Sequence, residues 1–187
     1  MRVIAGTSGG IPIKVPQDTT RPTTDRVREA VFSSLGDSVV EAIVLDLFAG
    51  SGSLGIESLS RGALRAVFVD QSKKACRIIQ ANLEKTSLAG KGSIRTSRVE
   101  RYLDGLSDSF RFDLIFADPP YVRDEETAEL LDRFLNNETL PSSLNEGGIL
   151  VLESSAKREL PATDVWSVLK DRNYGETKVT FLRPVNQ

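Results

Sequence analysis

Two clusters in this 187-residue chain have the residue types and spacing of a reaction centre. One is Asp118-Pro119-Pro120-Tyr121, which follows Phe112-Asp113-Leu114-Ile115-Phe116-Ala117, a run apolar enough for a buried strand. Open α/β sheets bind ligands at the carboxyl ends of such strands. Consecutive prolines stiffen the backbone and stop the strand, so the Asp118 carboxylate and the Pro119 carbonyl form a rigid pair of acceptors. The exocyclic amine of a nucleobase suits that pair. Its lone pair is delocalised into the ring, and two acceptors gripping its two N–H groups hold the nitrogen, favour pyramidalisation and aim the lone pair at a sulfonium methyl. Tyr121 can stack on a base turned out of its helix, as chemistry on base atoms requires. No strong base is needed, because the proton on nitrogen becomes acidic as the methyl arrives. A strand-ending turn explains these residues one at a time, but not the tetrapeptide as a unit.

The second cluster, Gly50-Ser51-Gly52-Ser53-Leu54-Gly55, matches G-x-G-x-x-G between the strand Ile43–Phe48 and a helix running to about Ser60. Glycines there let the backbone approach a ligand, and Asp70, at the tip of the next strand, can accept hydrogen bonds from a ribose. A cofactor is expected along Asp46, Phe48, Ala49, Gly50, Ser51 and Gly52, and at Asp70 and Gln71. The turn alone does not separate an adenine dinucleotide from S-adenosylmethionine, since both present adenosine. Asp46 favours the latter, because a carboxylate within the first strand suits a cationic amino group better than a pyrophosphate. Asp46 also reads as a buried acceptor for the glycine turn.

The elements that must position these clusters alternate strand and helix from residue 43 onward, which predicts a doubly wound α/β fold with a mostly parallel seven-stranded sheet. Strands are expected at 43–48, 66–70, 93–97, 112–117 and 148–153, with helices after the glycine turn, after the Ser72 cap and over about 126–136. The tail, from Val165 to Arg183, reads as an antiparallel pair. Ahead of the core, Arg2 to Pro16 reads as a short hairpin, and a helix begins near Thr24 with Val27, Ala30, Val31 and Leu35 at helical spacing. We expect one domain over 1–187, with 1–36 as a hairpin-and-helix appendage and 37–187 as the catalytic core.

Composition narrows the chemistry. The chain has no histidine and one cysteine, Cys76, which excludes histidine bases, histidine metal sites and an internal disulfide. No metal is expected. With 40% hydrophobic residues, no long apolar run and no secretory pattern at the N-terminus, the expectation is a cytoplasmic protein without a membrane span. Charge is uneven. Residues 61–101 carry ten Lys or Arg against three acids, a net of +7, whereas 102–187 carry nine against sixteen, a net of −7. This asymmetry permits a basic face that attracts phosphates, and solvated helix faces explain it equally well.

With both motifs stated, the chain resembles the class I methyltransferase superfamily. More narrowly, it is similar to the bacterial 16S rRNA guanine-N2 methyltransferases that modify guanine 966. The narrower likeness rests on Arg21-Pro22-Thr23-Thr24-Asp25-Arg26-Val27-Arg28-Glu29, on Leu45 to Gly55 and on Asp118 to Tyr121. The resemblance implies methyl transfer from S-adenosylmethionine to the 2-amino group of a guanine in 16S rRNA, within an assembling 30S subunit; a monomer is expected. It also implies that Asp46, Gly50 and Gly52 line the methionine side, that Asp70 holds the ribose and that Asp118, Pro119 and Tyr121 hold the guanine. Arg21, Thr23, Arg26 and Arg28 are candidate substrate contacts, the arginines by binding phosphate or the cofactor's carboxylate and the threonines equally by capping a helix. Two departures stand out. The hairpin segment Gly6–Ile11 lacks the arginines that family members tend to carry, and Arg98 stands where a small acid or amide often meets the adenine, which shifts that contact toward the Val99 backbone. Rival readings are amino-methylation of DNA adenine or cytosine, an NAD-dependent oxidoreductase, and a non-catalytic RNA-binding assembly factor.

Overall fold

The computed structural model describes residues 1–16, 24–107, 110–119, 125–161 and 163–185. Arg21, Thr23, Pro120 and Tyr121 lie outside the described residues. Seven strands form one sheet: β1 (Ile43–Leu47), β2 (Arg65–Asp70), β3 (Gly92–Thr96), β4 (Phe112–Ala117), β5 (Leu144–Ser155), β6 (Trp166–Tyr174) and β7 (Thr177–Pro184). Their order is β3-β2-β1-β4-β5-β7-β6, parallel from β3 through β5 and antiparallel at β7 and β6. The helices are α1 (Asp25–Leu35), α2 (Ser53–Ser60), α3 (Lys73–Lys85), α4 (Val99–Asp104), α5 (Glu125–Leu135) and α6 (Thr139–Ser142). No helix among the described residues is long and apolar enough to cross a membrane.

Period-two alternation along the strands divides the core into two layers. Val44, Phe68, Leu114 and Phe116 pack with Val31 and Phe32 of α1, Ile56 of α2 and Ile79 of α3. Leu45, Leu47, Val69, Ile115 and Leu150 pack on the other face with Leu103 of α4 and with Leu131 and Phe134 of α5. Thr24 and Ser72 cap α1 and α3 by accepting from Val27 N and Ala75 N, as their hydroxyls predict. The Asp113 carboxylate accepts from Ile43 N and from Asn145 Nδ2, both at 2.7 Å, fastening β1, β4 and β5 near their starts.

The expected strands and the terminal pair are all present, and β5 is longer than expected, running from Leu144 to Ser155. The short helices α4 and α6 were not foreseen, because four to six residues are too few for a helical period to show. The N-terminal segment differs more. Its backbone pairs as a short hairpin around the Arg2–Pro12 bridge, with Val3 N donating to the Ile11 carbonyl at 3.0 Å and Ile13 N to the Met1 carbonyl at 3.1 Å, but it packs into the core, since Val3 and Ile13 are buried in the same layer as Phe32 and Phe116. Glu57, wholly buried on α2, accepts from Ile4 N at 2.7 Å and Ala5 N at 3.1 Å, and it also pairs with Arg61 at 2.7 Å. Ser8 N donates to Ser60 Oγ at 3.0 Å, and Ser8 Oγ donates to the Thr86 carbonyl at 2.9 Å. A Cβ at Gly6 would lie 1.9 Å from the Ser60 carbonyl oxygen, so only glycine admits this approach.

Candidate active site at the head of the sheet

β1 and β4 are neighbours, with Leu47 opposite Ala117. The chain leaves β1 toward β2 and β3, then returns to the other side of β1 as β4. This is the switch point at which parallel sheets open a crevice beyond their carboxyl ends. Sequence places the glycine turn directly after β1 and Asp118-Pro119 directly after β4, so both clusters meet there. Pro119 is buried and Asp118 half-buried.

The turn reverses the chain through left-handed backbone at Phe48 (φ 56°), Gly50 (φ 55°) and Gly52 (φ 76°). A left-handed phenylalanine costs on the order of 1–3 kcal/mol, a strain that tends to persist where surrounding structure enforces it. The Phe48 ring meets that of Phe134 in an edge-to-face contact, with centroids 5.9 Å apart. Gly50 donates to Asp70 Oδ2 at 2.8 Å, and a Cβ on it would meet only the Phe48 carbonyl at 3.9 Å. The space beside Gly50 is therefore open. Gly55 serves packing instead, because a Cβ there would lie 2.3 Å from the Phe68 ring and 3.1 Å from Asp46 Oδ2.

Asp46 shares with Val44 the side of β1 that faces α2, and it is buried. Its Oδ2 accepts from Gly55 N at 2.9 Å. Burial pushes its pKa up to about 8, a rise that the Gly55 hydrogen bond opposes and the nearby Asp70 charge reinforces. Asp70 accepts from Gly50 N through one oxygen and from Ser72 N through the other, both at 2.8 Å, so it shapes the turn as well as marking the end of β2. Ala49 N donates to the Val69 carbonyl at 3.1 Å, which ties the turn to β2 a second time. Gln71 is exposed beside Asp70. The loop after β3 reaches the same place through Ser97 N, 3.1 Å from the Asp70 carbonyl. There Arg98 is exposed and Val99 is buried at the first position of α4, where a backbone N–H has no acceptor within the helix.

The arginines of the N-terminal nonapeptide part ways. Arg26 is exposed. Arg28, read from sequence as a substrate contact, is wholly buried, and its Nη2 donates to the Arg2 carbonyl and to Asp25 Oδ1 at 2.9 Å. The expectation for Arg28 is corrected accordingly: its side chain ties α1 to the N-terminal segment, because the inward stripe of α1 that carries Val27 and Val31 also carries residue 28. Asn82 lies on the buried stripe of α3, with Ala75, Ile79 and Leu83. Its buried amide accepts from Lys14 N at 2.8 Å and donates to the carbonyls of Lys14 and Ser51, each at 2.9 Å. An amide among apolar positions was the available signal, since a buried polar group needs partners.

Comparison with known proteins agrees with this geometry. The chain is 37% identical over 189 residues to the Bacillus subtilis protein YlbH, provisionally named an rRNA methyltransferase, covering 98% of both chains. It is 33% identical over 180 residues to the Escherichia coli (strain K12) ribosomal RNA small subunit methyltransferase D, covering 94% of this chain and 86% of that one. A solved Escherichia coli structure, provisionally described as the methyltransferase yhhF, superposes with a TM-score of 0.79 at 30% identity, covering 98% of this chain and 97% of that one. The family model described as "Conserved hypothetical protein 95" matches residues 1–183, and the chain belongs to that family.

Proposed function

We propose that this protein transfers a methyl group from S-adenosylmethionine to the exocyclic N2 amine of a guanine in 16S rRNA, acting as a cytoplasmic monomer on the assembling 30S subunit. One observation carries the reading: β1 and β4 lie side by side at the switch point, so the glycine turn that follows Leu47 and the acceptor pair that follows Ala117 open on one crevice. The relatives named as rRNA methyltransferases, one of them of the small subunit, support the substrate class. The interleaved core, in which Val3 and Ile13 pack with the sheet, supports treating 1–187 as one catalytic unit.

The residues present fit the cofactor. The open space beside left-handed Gly50 is a cradle that a Cβ would fill, and Asp46, Asp70 and the Val99 N–H supply donors and acceptors around it. S-adenosylmethionine, when bound, supplies an electrophilic methyl on a sulfonium. Asp46 meets the amino group of its methionine portion, and a cation beside this buried carboxyl holds it ionised. Asp70 uses its remaining lone pairs on the ribose hydroxyls, while Gln71 and the Val99 N–H face the adenine side. Asp118 and the Pro119 carbonyl accept the two N–H groups of the guanine amine, holding the nitrogen in line with the methyl. Tyr121 stacks on the everted base, and Arg26 contacts RNA phosphate.

The test supplies labelled S-adenosylmethionine to 30S particles, free 16S rRNA and DNA, followed by nucleoside analysis. N2-methylguanosine in small-subunit rRNA is expected. N6-methyladenosine, or label only in DNA, overturns the substrate.

A further inference from the structure

Five of the cations concentrated in 61–101 gather at one edge of the sheet. Strand β3 is that edge, paired on one side only, to β2. α3 covers the edge on the face of Phe68, and α4 covers it on the face of Val69. Lys73 and Arg77 on α3, Arg95 on β3, Arg98 at the cap of α4 and Arg101 on α4 are all exposed, and none of the five is ion-paired among the described residues. Ile94 packs inward against the α3 layer, so its neighbour Arg95 projects to the α4 side. There the charge of Arg95 partly offsets the rise that burial gives Tyr102. The cations therefore wrap the edge from one face to the other.

The N-terminal loop carries no cation between Gly6 and Ile11, and its polar groups bond to Glu57, Ser60 and Thr86. At the opposite edge, Lys170 donates to Ser34 Oγ at 2.9 Å, and Lys178 pairs with Asp171 at 3.1 Å. The sequence from 102 onward, which builds β4 to β7, is net negative by 7. RNA phosphates are repelled there and attracted at β3.

We propose that the RNA backbone flanking the target base docks across the β3 edge, on the surface formed by α3, β3 and α4. This rests on the reading that RNA is the substrate. β3 and β4 are three strand steps apart, roughly 15 Å at ~4.8 Å per step, so a strand anchored by phosphates at the edge reaches the crevice with its base.

The test compares Arg77→Glu/Arg101→Glu with a far-edge control on β6, Lys170→Glu/Arg172→Glu, in the full-length protein. Binding of 16S rRNA is followed through a potassium chloride series, and methyl transfer is followed at saturating donor. The edge variant is expected to bind RNA roughly tenfold more weakly, with a salt slope shallower by about two, one per lost phosphate contact. Its KM for RNA rises while kcat and affinity for S-adenosylhomocysteine hold. The milder Arg77→Gln/Arg101→Gln gives a smaller change in the same direction and guards against misfolding. Unchanged RNA affinity and slope in both edge variants, or an equal loss in the control, overturns the docking face. A wild-type protein that methylates rRNA while the edge variants match it sinks this inference alone. A wild type that neither binds nor methylates rRNA sinks the substrate reading as well.

Discussion

Asn82 donates from its buried carboxamide to the Ser51 carbonyl at 2.9 Å, so α3 holds the glycine turn at its second residue. The same amide brackets Lys14 through both its N–H and its carbonyl. Asn82→Leu keeps the volume but strands three backbone groups. Each buried orphan costs about 1–3 kcal/mol, and some will find water. A melting temperature lower by roughly 4–8 °C is expected, since about 1 kcal/mol moves a domain of this size by 2–4 °C. The freed turn should also bind S-adenosylhomocysteine more weakly, measurable by calorimetry. Unaltered affinity in a folded variant shows that Asn82 supports the fold without positioning the turn.

Asp118→Ala removes one of the two acceptors proposed for the guanine amine and leaves every residue of the glycine turn unchanged. Methyl transfer should fall below detection while binding of S-adenosylhomocysteine stays within about twofold of wild type, a change of roughly 0.4 kcal/mol. Full activity in this variant refutes the proposed mechanism.

Two glycines a few residues apart separate space for a ligand from space for packing. Gly55→Ala drives a methyl to within 2.3 Å of the Phe68 ring and should destabilise the fold by about 1–3 kcal/mol. Gly50→Ala meets no side chain but carries φ 55°, so its folding cost is on the order of 1 kcal/mol. Its methyl enters the cradle, and the larger loss should appear in cofactor affinity. Thermal melts beside titrations of both variants distinguish the two roles. The idea fails if Gly50→Ala binds cofactor normally.

Asp46 gives the ligand-free protein a pH signature. Its folded pKa, about 8, lies above the ordinary carboxylate value of 3.8, so the native state binds more protons than the unfolded chain between these limits. Its contribution to stability is complete below pH 3.8 and is lost as pH rises toward 8. Asp46→Asn cannot ionise, and its amide oxygen still accepts from Gly55 N. Relative to wild type, the variant should therefore gain stability progressively across that range, by on the order of a few kcal/mol. Denaturant unfolding of both proteins at a series of pH values checks this, and a difference that does not vary with pH refutes it. The variant should nonetheless bind S-adenosylmethionine more weakly, having lost the charge that meets the amino group.

Much of this molecule is legible in local sequence because its signals are local. A strand of alternating or continuous apolar residues, a glycine turn, a capping hydroxyl and a Pro-Pro stop each depend on neighbours in the chain. Strands β1, β2, β4, β6 and β7 and the helices α1, α2, α3 and α5 accordingly lie close to where the pattern puts them, and Asp46, Gly50, Asp70 and Asp118 all reach the head of the sheet.

Tertiary structure decided what depends on pairs distant in sequence. Sheet order brings Ala117 beside Leu47 and makes two motifs one crevice, and the winding that does so is a property of the whole sheet. The packing face turned Arg28 inward to the Arg2 carbonyl, although its charge alone suggested phosphate. Asn82 became a tether because Lys14 and Ser51, 68 and 31 residues away, converge on it. The N-terminal segment joined the core because buried Glu57 accepts its backbone N–H groups, and an unpaired carboxylate there would be too costly to bury. Sequence thus determined the reactive groups and the elements that carry them, whereas long-range packing decided which of those groups face a ligand and which hold the protein together.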